Sequence, residues 1–177
     1  MNVKSSLACA AAVSLIVTLA TIAVAAQDKY AVQVPDGLAF SEFRGYEDWQ
    51  TVAVSQTEGM IQVILANPVM IEAYRAGVPG NGKPFPDGSK IAKIHWTAKK
   101  SAEAPAPTSV PDKLHDVDFI ARDSTRFSDS GGWGYAQFNY DPTSGAFSPE
   151  GRGTKCGAAC HTIVASKDYI FTAYPPR

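Results

Sequence analysis

The chain has 177 residues, of which 45% are hydrophobic and 19% charged, with a formal net charge of −1. That is enough apolar material for one core. No cluster of basic residues is present, which argues against nucleic acid or an anionic membrane as the main partner.

Residues 1–26 read as a secretory signal peptide. Lys4 precedes an apolar run from Leu7 to Val24, and the small residues Ala23-Val24-Ala25-Ala26 stand before the polar Gln27. That layout predicts cleavage after Ala25 or Ala26. A retained membrane anchor competes, because the apolar run approaches the span of a bilayer; the alanine-rich end without a charged flank favours cleavage. Cleavage after Ala26 removes Lys4 and Cys9, takes the net charge from −1 to −2, and leaves a domain over 27–177. Only Cys156 and Cys160 then remain, in an oxidising compartment.

Along that domain, Pro35-Asp36-Gly37 predicts a turn. Phe40, Phe43, Tyr46 and Trp49 recur every three residues and predict a helix with a core-facing aromatic stripe. Met60–Ala66 predicts a buried strand. Asn67-Pro68 then supplies an N-cap and a proline at the first helical position, for a helix over Val69–Ala76 that ends at Gly77. After a Gly- and Pro-rich loop over 78–88, Ser89–Trp96 alternates as a strand, with Lys93 and His95 on one face and Ile94 and Trp96 on the other. Ser101–Pro111 reads as a connector. His115–Asp123 and Gly132–Tyr140 are two further strands joined by a turn around Ser128–Gly132. Asp141–Gly153 reads as a loop, Cys156 to about Ser166 as a short helix, and Asp168–Tyr174 as a final strand. The expected fold is one α+β domain with four or five mainly antiparallel strands and three helices.

Lys155-Cys156-Gly157-Ala158-Ala159-Cys160-His161-Thr162 carries the chemistry. Covalent haem attachment usually takes the spacing C-x-x-C-H, because two thiols and an imidazole then share one helix face. Here three residues separate the cysteines, which leaves them about 40° apart around a helix. Cys160 and His161 keep their adjacency, and Gly157 lets the first turn distort at little steric cost. A Cys156–Cys160 disulfide is the competing reading, although so small a loop removes little entropy from the unfolded chain. A zinc site is a third, without a plausible fourth ligand nearby.

Three stretches resemble the cytochrome P-460 family, which includes the related beta-type cytochromes c-prime. They are the C-terminal run Cys156–Tyr174, the middle region with its Asn67–Tyr74 and Gly82–Trp96 runs taken together, and Ala121–Phe138. The resemblance implies a periplasmic protein with pentacoordinate haem c, tethered by Cys156 and Cys160 and held through His161. It further implies a P-460-type cross-link from Lys93 to the porphyrin edge, and Asp118 as a proton acceptor in hydroxylamine oxidation. Some members carry an arginine where Gln62 stands, a departure that bears on the pocket's charge. His95 shares the Lys93 face, whereas His115, Met60 and Met70 have weaker claims, so the sixth iron position is expected to be open. A soluble cytochrome is the implied electron acceptor, and a homodimer is carried as an expectation. The alternative within the same group is a non-catalytic carrier of nitric oxide or carbon monoxide. A low-spin electron-transfer cytochrome would need a sixth ligand that the sequence does not supply.

Overall fold

Short alternating segments joined by tight turns build a six-stranded antiparallel sheet, in a computed structural model that describes residues 27–35, 37–150 and 153–177. The expected signal peptide lies outside the described residues, as does Asp36 of the first turn. The strands are β1 (Gln50–Thr57), β2 (Met60–Ala66), β3 (Lys90–Lys100), β4 (Ser109–Arg122), β5 (Trp133–Asp141) and β6 (Ala146–Pro149). They lie side by side in chain order. Two α-helices, α1 (Pro68–Arg75) and α2 (Thr154–His161), and several 3-10 turns complete an α+β fold. Among the described residues no helix is long and apolar enough to cross a membrane.

The sheet has six strands rather than four or five. β1 is an edge strand whose second half is exposed, so its Ser, Gln and Thr residues mask the apolar alternation. β6 has only four residues inside the stretch read as a loop. β4 reaches back through Pro111 into the expected connector; Pro111 pairs with Ala98 beside a register shift, a position where a missing N–H is tolerated. The expected strand over Asp168–Tyr174 does not form, because Asp168 (φ 51°) and Tyr169 (φ 63°) turn the chain through the left-handed region.

The aromatic stripe faces the core, but on two 3-10 turns, Phe40–Phe43 and Tyr46–Asp48, and not on an α-helix. A repeat of three matches a 3-10 turn, where residues i and i+3 eclipse, and Gly45 (φ 76°) separates the two turns. This segment covers one sheet face. Phe119 is fully buried there, stacked on Phe43 at 4.1 Å, with Phe40 (5.0 Å) and Tyr46 (5.2 Å) edge-on to it.

The opposite face receives α1, the loop after it and the C-terminal segment, around Ile64, Met70, Phe85, Ile91, Trp133 and Ile170. Asn67 caps α1 as expected, its Oδ1 accepting from the Met70 N–H at 3.2 Å. The same oxygen accepts from the Lys90 N–H (3.0 Å), which ties the helix to the start of β3. Met70 is wholly buried in this core.

Phe119→Ala is expected to lower stability by about 3–5 kcal/mol, the usual cost of emptying a buried aromatic site. Denaturant unfolding measures it, and a loss below about 1 kcal/mol would contradict the clamped arrangement.

Candidate functional site

Successive strands place one row of side chains across the second face. Ala53 lies opposite Ile64, Ile64 opposite Lys93, Lys93 opposite Asp118, and Asp118 opposite Gln137. α2 and the tail after it stand over this row. Between them lies a cavity of about 570 Å³ that is lined by Lys93, Asp118, Cys156, Cys160 and His161, together with Glu150 and mostly apolar side chains.

The position of α2 depends on close approach to β5. A Cβ on Gly157 would lie 2.4 Å from the Tyr135 Cβ, so no larger residue fits without moving the helix. The Tyr135 N–H also donates to Thr154 Oγ1 at 3.3 Å, fixing the first turn of α2. Gly157 sits inside a regular α-helix. Its value is the missing side chain, not the conformational slack expected from the sequence.

Cys156 and Cys160 are free thiols one turn apart on α2, both exposed. Helical neighbours of this kind keep their Cβ atoms about 5–6 Å apart, whereas a disulfide needs about 3.5–4.5 Å, so a bridge would require α2 to unwind. Among the described residues, the cluster able to hold a metal ion through His, Cys, Asp or Glu is His95, Asp116 and Asp118. It does not include the thiols, which removes the support for a zinc site at the cysteines.

His161 closes α2 with its ring between Tyr135 and Phe171, at centroid distances of 4.7 and 4.8 Å. Its Nδ1 lies 2.6 Å from the Tyr169 carbonyl oxygen. A carbonyl only accepts, so Nδ1 carries the proton and Nε2 keeps its lone pair. Burial lowers the imidazole pKa, against the opposing effect of the Tyr169 hydrogen bond, and the charge of nearby Lys93 lowers it further. The ring is thereby neutral and able to ligate at neutral pH.

The two left-handed residues of the tail accompany this contact. Asp168 accepts from Arg122 Nη1 at 3.0 Å and from the Phe85 N–H at 2.7 Å. The Tyr169 ring lies against Gly131, where any Cβ would come within 2.3 Å. The carbonyl that orients His161 is thus anchored to β4 and to the loop before β3. Sequence reasoning missed it: a backbone oxygen has no residue signature, and positive φ at Asp-Tyr leaves no pattern.

Burial raises the Asp118 carboxyl to about 6, with Asp116 and Glu150 adding to the rise while His95 and Lys93 oppose it. A third of the side chain stays accessible. His95 does not line the cavity; it is buried behind Asp118 and bonded to Asp116. Gln62 is buried with both ends of its amide engaged, accepting from Ser55 Oγ (2.7 Å) and donating to Thr57 Oγ1 (3.1 Å). Among the described residues, neither Met60 nor Met70 lines the cavity, and His161 is the one histidine that does.

Two thiols and an unprotonated imidazole nitrogen in one wall of a largely apolar cavity suit a covalently held, iron-containing macrocycle. The volume falls in the range of about 300–1,000 Å³ typical of cofactor sites. The family model Cytochrome P460 matches residues 43–172, a span that contains every cavity-lining residue. No significant match was found among curated proteins.

Gly157→Ala tests the packing. Alanine favours a helix by about 1 kcal/mol over glycine, yet the contact with Tyr135 is expected to reverse the sign, for a net loss of about 1–3 kcal/mol. A variant with an unchanged or raised denaturation midpoint would contradict the close approach.

Proposed function

The chain belongs to the cytochrome P460 family, haem proteins, and from that premise we propose that its cavity holds haem c covalently and oxidises hydroxylamine. Cys156 and Cys160 tether the ring as thioethers, each S–H adding across a vinyl double bond. His161 Nε2 holds the iron. The haem iron, when bound, supplies an open coordination position and takes up the electrons that hydroxylamine releases. Lys93, which lines the same cavity from β3, would be the residue to carry the further ring bond that distinguishes P-460-type haem.

One observation carries the enzymatic reading: Asp118 shares the cavity with both thiols and His161, and its carboxyl is raised to about 6. Conversion of hydroxylamine to nitric oxide releases three protons with three electrons, so the site needs a base that is ionised at neutral pH and readily protonated. Asp118 meets both conditions. Lys93 stands opposite it, and its charge before any bond to the ring forms favours the carboxylate. Electrons pass to a soluble cytochrome, and the signal-like residues 1–26 support export to the periplasm. A carrier of nitric oxide or carbon monoxide is the second reading, favoured by the mostly apolar wall and by the engaged amide of Gln62 where some members have arginine.

Steady-state oxidation of hydroxylamine with an artificial acceptor separates the two readings. Turnover is expected to fall below pH about 6, where Asp118 takes up a proton, and Asp118→Asn is expected to lose about 100-fold or more in kcat. Turnover no faster than in Asp118→Asn would reject the enzyme and leave the carrier.

Lys93→Ala is expected to return a red-shifted band of the reduced protein to the position of ordinary c haem. A wild-type spectrum already at that position, unchanged by the substitution, would remove the cross-link.

A further inference from the structure

Behind Asp118 lies a second layer of titratable groups that does not face the cavity. The β3–β4 register sets His95 opposite Asp116, one step along the same face from Lys93 and Asp118. Both are buried, His95 at 8% and Asp116 at 3% exposure. One Asp116 oxygen pairs with His95 Nδ1 and the other with Nδ1 of the half-exposed His115. Those contacts, led in effect by the His95 bond, hold the Asp116 carboxyl below its ordinary value in spite of burial. An ionised Asp116 only accepts, so Nδ1 of His95 carries a proton, and in the neutral ring the lone pair is on Nε2.

That Nε2 is buried and has no hydrogen-bond partner. A buried acceptor left unpaired is costly, and each such atom asks for a reason. Gln62, opposite His95 on β2, spends its amide on Ser55 and Thr57. The nearest acid is Asp118, whose Oδ2 stands 3.8 Å from Nε2. A shift of about 1 Å, within the reach of a side-chain rotation, brings the two to hydrogen-bond distance.

We propose that His95 is the second proton acceptor of the site, taking on Nε2 the proton that Asp118 has removed from substrate, with Asp116 as the residue that positions it. In that step the Asp118 O–H bond breaks and the His95 Nε2–H bond forms, and no electrons move. Asp118 returns to the carboxylate and can accept again. The imidazolium formed lies between the carboxylates of Asp116 and Asp118, which balance its charge. Resting on the hydroxylamine-oxidising reading, this gives Asp118 a second acceptor in a reaction that releases several protons per turnover.

The groups facing Asp118 are His95 and Lys93 from β3, Asp116 from its own strand and Glu150 after β6. Those facing His95 are Asp116 and Asp118 from β4, with Gln62 beside it on β2. The two partners therefore act on Asp118 with opposite signs. His95→Asn keeps an N–H for Asp116 but removes the ring that becomes a cation once it holds the proton and then lowers the Asp118 carboxyl, so the acid limb of kcat/KM is expected to move up. Asp116→Asn removes an anion and the constraint on the His95 tautomer, so the limb is expected to move down. In both, kcat is expected to fall about tenfold with KM within twofold.

A readout independent of turnover comes from the C–O stretch of the ferrous carbonyl form, followed by infrared spectroscopy across pH 4–9. In the wild type the band is expected to shift as Asp118 titrates, with its midpoint moving up in His95→Asn and down in Asp116→Asn. Opposite shifts in the two variants while hydroxylamine is not turned over would discard the enzyme and keep the His95–Asp118 couple. Profiles and carbonyl titrations in both variants that superimpose on the wild type would overturn the proposal. A fall in kcat with limbs moving in the same direction would overturn it too, since general loosening of the sheet has no sign.

Discussion

The register between β3 and β4 decides what the cavity can do. It sets Lys93 against Asp118 and His95 against Asp116, and it turns all four to the face that α2 covers. Side chains alternate along a strand, so a slip by one residue would carry these groups to the face filled by Phe40, Phe43 and Tyr46. That aromatic cluster is what forbids the slip. Val117 lies between the two aspartates and Phe119 directly after them in sequence, and both are wholly buried on the other side. The aromatic core thus specifies the polar arrangement of the site without contributing a chemical group to it.

α2 depends on a second constraint, its close contact with β5. Gly157 against Tyr135 brings the helix near enough for Cys156, Cys160 and His161 to share a cavity with residues of β3 and β4. The tail then returns and presents the Tyr169 carbonyl to His161, held through the Asp168–Arg122 pair. A neutral imidazole with its proton fixed on one nitrogen is what a metal ligand requires. A similar contact occurs behind Asp118, where the Asp116 carboxylate holds a proton on Nδ1 of His95. Two histidines, one directed by a carbonyl and one by a carboxylate, suit a ligand and a base respectively.

Much of this was legible in the sequence, and the reasons are local. β2, α1 and the core of β3 follow from an apolar run, the Asn67-Pro68 cap and plain alternation. Adjacency alone directed attention to Cys160-His161. Lys93 and Asp118 were reached only through family resemblance, since a lysine or aspartate on a strand looks solvated until its neighbours across the sheet are known. β1 was hidden by its exposed polar half, and β6 by its length. The aromatic stripe suits an α-helix only loosely, and its repeat of three matches the 3-10 turns that form. The orphaned Nε2 of His95 depends on partners in three strands, and no single stretch of sequence carries it.

Covalent attachment of haem at α2 is the central proposal for this cytochrome P460 family member. Proteolysis of the purified protein followed by mass spectrometry tests this most directly. Haem is expected to stay on the peptide that contains both Cys156 and Cys160, with neither thiol open to alkylation. Haem released by acidified organic solvent, with both cysteines alkylated in full, would contradict the account.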